Sequence, residues 1–493
     1  MDHFTLLDWA VMLAYIVGVT AFGLFKGGKQ TSAKDYFLSE KKIGWWVVAM
    51  SVVATETSAI TFISVPGIAY AGNFNFLQLS IGYILGRIFI ATYFLPKYYQ
   101  GELTTAYALI ETRFGLNLRR ITSLVFIGTR IFADGVRLYA TAIPLALILH
   151  GNHFFSTLSD TEFYIYSILF ISVVTAVYVQ IGGVRAVIWT DLVQLLIYVL
   201  AAGLAILVLF QNIPDPLAAL AEASAKGKFQ FFNFDTTNFF STPYQFFLAV
   251  AGGAFLSMAS HGTDYIIVQR LFTTEDLASS KKALIASGIV VFIQFAVFLF
   301  VGTLLYAFYG ETPLKGDEVF SKFIIESLPA GISGLIIAGI LAAAMSTLSG
   351  SVSALSSSTV FDLYDKTKHG KTLSEAQKLS LSRIVSLIWI VVLTGSALLY
   401  IGLGKSVVEV ALSIASFTYG GLLGIFILGI FFERVDQSAA IGGFVSSVIV
   451  MTLVVTQTKL AWTLYTIIGS LTAVAVSLLI QRFTTSRQPT LVE

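Results

Sequence analysis

Six ionisable residues sit in stretches otherwise made for lipid: Glu56, Arg87, Arg130, Asp134, Arg137 and Asp191. A charge at the centre of a membrane helix costs about 2.5–3.5 kcal/mol on insertion scales, so such groups are kept for pairing, for ion passage or for solute recognition. Arg130 and Asp134 stand four apart, where two residues of one helix can pair with each other. Arg87 can neutralise a neighbouring span. Asp191 follows Trp189-Thr190 near the end of its stretch, where it can cap or snorkel; it is also placed to face a cation. Glu56 lies near mid-depth among the hydroxylic residues Thr55, Thr57, Ser58 and Thr61. Three roles stay open for it: pairing with Arg87 or Arg137, touching a solute through an ammonium or polyol group, or carrying a proton.

Thr and Ser have middling to poor helix propensity, and Pro66-Gly67 follows them. A proline disfavours a continuous helix, so the pattern predicts a broken one. Freed backbone carbonyls are tolerated at membrane depth only where they line a cavity or bind an ion. A second polar island, AAAMSTLSGSVSALSSS (342–358), places Ala343, Ser346, Thr347 and Gly350 on one helical face. Small residues there permit close helix packing; hydroxyls and carbonyls together also suit a hard monovalent cation. A third, AGGAFLSMASHGTDYIIVQR (251–270), offers a glycine pair and is the second place where a helix is expected to break. Interrupted spans in matching positions of two halves are the pattern of a secondary transporter.

These islands lie in a chain of 493 residues that is 56% hydrophobic and 12% charged, with a mean hydropathy of +0.83. Soluble domains carry about 25% charged residues, so the chain is read as an all-α polytopic membrane protein. A helix needs roughly 20 apolar residues to span a bilayer. Thirteen candidate spans follow: 6–25, 44–71, 75–96, 121–149, 162–182, 187–210, 243–268, 284–309, 329–360, 380–403, 407–432, 437–456 and 461–481. The first lacks a basic leader and a small-residue cleavage site, so it is read as retained. Of the 30 Lys and Arg, the loops on one side hold only Lys226, Lys228, Lys315, Lys322, Lys405 and Lys459. The positive-inside rule then puts the N-terminus outside and the C-terminus in the cytoplasm. A net charge of +2 gives no sign of a nucleic-acid partner, and the absence of cysteine excludes disulfides and thiolate metal sites. No phosphate loop and no nucleophile–base pair argues for an enzyme. An ion channel is a weaker reading, because no charged ring or repeated pore motif is present.

The chain resembles the sodium/solute symporter family of sodium-coupled transporters for sugars, proline, sialic acid, monocarboxylates, vitamins and iodide. The resemblance runs along essentially the whole chain. It is carried by ATETSAITFISVPGIAYAG (54–72), YVQIGGVRAVIWTDLVQ (178–194), GTDYIIVQRLF (262–272) and GLIIAGILAAAMSTLSGSVSALSSSTVFDLY (334–364), among others. It implies one transporter domain over 1–493 with a LeuT-like core of two inverted five-helix repeats, 44–210 and 243–432. Residues 6–25 add a helix before the core, and 437–481 form peripheral helices after it. It implies sodium-coupled import of a small polar organic solute by alternating access, as a monomer in the plasma or inner membrane. Na+ is the coupling ion; a proton-coupled carrier using Glu56 is the alternative on the same fold.

By resemblance the sodium ligands are the carbonyls of Ala54, Thr57 and Ala343 and the hydroxyls of Ser346 and Thr347. Some members hold a second sodium with an aspartate and further serines; Asp191, Ser346 and Ser349 match, and Gly350 replaces the next serine. Solute contacts map to Glu56, Ser58, Thr61, Phe76, Ser80 and Phe417, with Ser413 and Ser416 nearby. A sialic acid member holds a carboxylate with an arginine at a position that here falls near Asp134-Gly135, two or three residues from Arg137. The resemblance therefore does not itself carry over an arginine-held anion.

Overall fold

A computed structural model of the chain describes residues 5–39, 42–57, 59–100, 103–150, 158–312, 316–402 and 407–485. The described residues hold helices and no strand. In chain order the helices are α1 (Leu6–Gly27), α2 (Ala33–Leu38), α3 (Trp45–Glu56), α4 (Ala59–Ala71), α5 (Gln78–Phe89), α6 (Leu95–Tyr98), α7 (Tyr107–Phe114), α8 (Leu116–His150), α9 (Asp160–Asn212), α10 (Pro216–Ala225), α11 (Phe246–Gly262), α12 (Tyr265–Leu271), α13 (Leu277–Tyr309), α14 (Gly316–Glu326), α15 (Ile332–Ser358), α16 (Glu375–Leu398), α17 (Val407–Phe431), α18 (Gln437–Gln457) and α19 (Tyr465–Thr485). Nine helical stretches among the described residues are long and apolar enough to cross a membrane. Shorter apolar helices, Trp45–Glu56, Thr161–Val177 and Thr418–Phe431, lie in other expected spans. The fourth expected span is α8, which carries Arg130, Asp134 and Arg137.

The second span is broken, but not at its proline. α3 ends at Thr57, whose backbone is extended (φ −79°, ψ 106°), while Pro66 lies inside α4. A proline removes one helical N–H donor and the helix can continue past it. Here α13 approaches so closely that a Cβ on Gly302 would lie 2.0 Å from the Pro66 carbonyl oxygen.

The second break falls at Thr263-Asp264, not at Gly252-Gly253. Asp264 caps α12 by accepting the Ile266 N–H at 3.0 Å. The glycine pair instead lets α11 pack against Leu79 and Thr463. Helix ends leave carbonyls without donors. At this break the Tyr98 and Tyr107 hydroxyls donate to the Gly262 and Thr263 carbonyls. α9 covers two expected spans, with a kink at Gly183 (φ 57°), a conformation that suits glycine. α15 is the best-buried long helix and packs on α1, α8 and α9.

Candidate functional site

Two cavities meet at the first helix break. The smaller has a volume of about 10 Å3 and is lined by Ala54 and Thr57 of α3, Gln194, Leu195 and Tyr198 of α9, and Ala343 and Ser346 of α15. Four of the five expected sodium-site residues thus share one wall. The fifth, Thr347, lines the larger cavity, and its hydroxyl donates to the Ala343 carbonyl at 3.0 Å.

Ser346 is oriented from behind. Its hydroxyl donates to Asp191 Oδ1 at 2.7 Å, which leaves the oxygen lone pairs to accept or to coordinate. Asp191 is fully buried. Its Oδ2 accepts from Ser51 Oγ at 2.5 Å, from Arg270 Nη2 at 3.0 Å and from Arg270 Nε at 3.3 Å. The cation that Asp191 faces is therefore a guanidinium. Arg270 also donates through Nη1 to the Ile266 carbonyl at 2.8 Å. A Cβ on Gly350 would lie 2.7 Å from Arg270 Nη2, so the guanidinium occupies the room a serine would need there. Ser349 turns its hydroxyl to the Ser346 carbonyl at 3.1 Å. The expectation of a second sodium on Asp191, Ser346 and Ser349 meets a carboxylate already neutralised.

The larger cavity, about 70 Å3, is polar and charged; its lining includes Glu56, Arg130, Arg137, Ser260, His261, Thr347, Ser351 and Tyr419. Glu56 forms an ion pair with Arg87 and lies 3.5 Å from His261 Nε2, yet its side chain stays 17% exposed on the cavity wall. Pairing with Arg87 and contact with the cavity are thus both realised. Arg87 is anchored further by Ser287 at 2.6 Å. Arg130 pairs with Asp134 at 3.1 Å, as its spacing predicts, and also with Asp264 across the second break. Ser351 donates to Asp134 at 2.6 Å and Tyr419 to Asp264 at 2.7 Å. Arg137 reaches Asp134 at 3.3 Å and is the most open of these side chains, 31% exposed. Ligand pockets for larger molecules run to about 300–1,000 Å3, so the walls must part to admit a bulky solute.

Three expected solute contacts do not line this cavity. Ser80 is buried and donates to the Leu77 carbonyl at 2.9 Å, its own helix turn satisfying it. Phe76 packs edge-on and tilted against Tyr244 and Phe295. Thr61 lies on α4, past the break, and is absent from the lining. Ser58 and the side chains of Ser413, Ser416 and Phe417 lie outside the described residues. Sequence reasoning did not single out Gln194, His261, Asp264 or Arg270. Asp264 had one readable signal, a helix-capping aspartate after a glycine.

A family model, sodium:solute symporter family, matches residues 36–449. The chain is 28% identical over 485 residues to the sodium/sialic acid symporter NanT of Aliivibrio fischeri, covering 97% of this chain and 93% of that one. It is 26% identical to the sodium/sialic acid symporter SiaT of Proteus mirabilis (96% and 94% covered), and 27% identical to the mouse sodium-coupled monocarboxylate transporter 1 (90% and 72%). A solved structure of a Na+-coupled sialic acid symporter, substrate-bound and outward-open, superposes with a TM-score of 0.87 at 25% identity, covering 97% of this chain and 98% of that one. The nucleobase-cation-symport transporter Mhp1, at 13% identity, shares the fold with a TM-score of 0.58 over 94% of this chain and 98% of that one.

Proposed function

The chain belongs to the sodium:solute symporter family and is a sodium-coupled symporter with a LeuT-like core; from that premise we propose that its solute is a small organic anion, held by Arg137 and imported with one sodium. The observation that carries this reading is charge balance. Around the two cavities, the carboxylates of Glu56, Asp134, Asp191 and Asp264 face the guanidiniums of Arg87, Arg130, Arg137 and Arg270. Uncompensated charge in such a site is expensive. A sodium ion entering between Ala54, Thr57, Ala343 and Ser346 brings one positive charge, and a carboxylate on the solute cancels it. Arg137, open to the cavity and holding one long ion pair, is the fork best placed for a bidentate carboxylate. Names of relatives agree in chemistry: sialic acid and monocarboxylates are anions at neutral pH. Glu56, already paired with Arg87, then borders the solute and accepts hydrogen bonds from its polar groups. One sodium, not two, follows from the Asp191–Arg270 pair. The proposed orientation has the N-terminus outside and the C-terminus in the cytoplasm, supported by the asymmetry of Lys and Arg between loops. Residues 44–210 and 243–432 form the proposed repeats, each beginning with a broken span.

The test is thermal stability of the purified protein against a panel of small carboxylates and their uncharged amides, in sodium and in potassium. A ligand that binds only the folded state stabilises it by mass action. Carboxylates are expected to stabilise in sodium only. Arg137→Gln is expected to weaken that response by about 10- to 150-fold in solute concentration, as charge-assisted hydrogen bonds of roughly 1.5–3 kcal/mol are lost, while the response to sodium alone persists. Stabilisation by amides with the carboxylates silent would refute the anion; stabilisation indifferent to sodium would refute the ion site.

A further inference from the structure

The segment between α10 and α11 is built of rings. From Phe229 to Phe247 the sequence carries nine aromatic residues and a single charge, Asp235. Phe231, Phe232, Phe234, Phe246 and Phe247 form one raft, with neighbouring ring centroids 4.4–5.8 Å apart. Its outer rings are bare: Phe232 is 48% exposed, Phe234 58% and Phe247 59%. A contiguous exposed apolar patch marks a partner. The backbone beneath the raft is pinned. The buried Gln78 side chain accepts the Asn233 N–H at 3.1 Å and donates to the Tyr244 carbonyl at 3.0 Å. Phe246 donates its N–H to the Asn233 carbonyl at 2.7 Å. The Asn233 and Asp235 side chains take the N–H groups of Asp235 and Thr237 at 3.1 and 2.8 Å. A fixed turn thus holds the rings outward.

The raft also sits at membrane depth. Phe229 lies against Phe300 of α13 and Phe231 against Phe292, with centroids 6.4 Å apart in each pair. Phe300 and Phe292 are eight positions apart, about 12 Å along a helix, so the segment descends along α13 from its Tyr309 end. Phe292 lies about 25 Å from that end on the same rise, close to the middle of a span. In that stretch Ile289 and Ile293 are exposed, and on a membrane span such side chains face lipid. The raft continues their surface and joins it to Phe247 on α11. We propose that the raft is embedded in the bilayer, with Phe232, Phe234 and Phe247 among the acyl chains of the leaflet on the Tyr309 side, the outer one in the proposed orientation. Phe lacks the polar handle that keeps Tyr and Trp at the headgroups, which suits it to the acyl layer. Backbone at that depth must find its hydrogen bonds within the protein, and Gln78 with the Asn233–Asp235 turn supplies them. Gln78 opens α5, so the embedded segment is tied directly to a core span.

The rivals are water around the bare rings and a second copy of the chain seated on them. The chain has no cysteine, so Phe232→Cys, Phe234→Cys and Phe247→Cys each accept one spin label; Glu222→Cys, exposed on α10, is the water-facing control. The Gln78 clamp is untouched in all of them, so each is expected to melt near the parent, and three ring positions keep the test alive if one fails to fold. The labelled proteins are placed in phospholipid nanodiscs, where both faces meet the aqueous reagent. Electron paramagnetic resonance then reads collisions with oxygen, which concentrates among acyl chains, and with a water-soluble nickel chelate. Labels at the ring positions are expected to meet oxygen severalfold more often than the chelate, and the control to show the reverse. Ring positions as open to the chelate as the control put the raft in water and overturn the proposal. Ring positions closed to both reagents, with dipolar broadening from a neighbouring label, put a second copy there and overturn it equally.

Discussion

Replacing Arg270 with methionine strips the guanidinium from Asp191 while keeping much of the side chain's bulk. The carboxylate then keeps two hydroxyl donors, Ser51 and Ser346, and loses its one cation among the described residues. Both partners of the pair are fully buried. Removing one member of a buried pair costs about 3–5 kcal/mol, because the remaining charge is left uncompensated. Removing both is different: replacing a whole buried pair is often neutral or better. So Arg270→Met in potassium is expected to lower the melting temperature by many degrees, and Asp191→Asn/Arg270→Met to recover most of that loss. The coupling from the complete cycle is expected to be about 3 kcal/mol or more, at the top of the range for contacting residues. Sodium supplies an independent readout. With the guanidinium gone, Asp191, Ser51 and Ser346 form an oxygen cluster for a second ion. The single variant is therefore expected to be rescued by sodium more strongly than the parent, with a steeper sodium dependence. The parent's dependence is expected to follow one site. The assay is melting of the detergent-solubilised protein over a sodium titration, for the parent, both single variants and the double. A single variant as stable as the parent in potassium, or a double no better than Arg270→Met, would refute the reasoning. A parent whose sodium dependence already requires two sites would refute the claim that arginine takes the place of a second ion.

Two further predictions concern parts away from the cavities. Asp8 of α1 caps the start of α15 across the helix pair, accepting the N–H groups of Gly331 at 2.7 Å and Gly334 at 2.8 Å; Asp8→Ala is expected to cost about 1–2 kcal/mol, the worth of a good cap, in a melting experiment where the half-saturating sodium concentration does not move. Glu111, on α7 outside the spans, is subject to a burial effect that would raise its pKa, but hydrogen bonds and attraction from Lys366 and Arg119 prevail and hold it below its ordinary 4.5. A depressed folded pKa means that the stabilisation is present above the unfolded value and fades as pH falls through the folded one, so below about 4.5 the parent is expected to lose a stability increment that Glu111→Gln lacks at every pH.

How much of this was legible in one dimension depends on the distance between partners. The pairing of Arg130 with Asp134 could be read from a spacing of four, because one helix turn brings the two together. The hydroxyl-rich run around Glu56 predicted a break, and the break came, one residue after Glu56 and nine before the proline. Pro66 did not mark the break because a proline forfeits only one donor and a helix can run past it; α13 packs against it through Gly302. The stretch 251–270 did break, at its polar close Thr263-Asp264, while Gly252-Gly253 stayed helical: in a membrane bundle a small residue more often marks where another helix comes close than where its own helix ends.

What stayed hidden was the identity of cross-span partners. Arg270 looked like an ordinary inside-facing charge at the edge of its span. Only the second break, which turns α12 back into the bundle, carries it to Asp191. The same turn sets Asp264 against Arg130. Sequence reasoning asked which ions the acidic residues attract, and the fold had already supplied most of those cations as arginines. That substitution changes what a sodium-coupled carrier of this kind can accept. Where each carboxylate around the cavities has its guanidinium, the arriving ion has no fixed countercharge waiting for it. Affinity for sodium then depends on neutral oxygens and on the charge of the solute beside it. In such a site an anionic solute strengthens sodium binding, and sodium strengthens binding of the solute by the same factor, which is the coupling a symporter needs to avoid carrying either one alone.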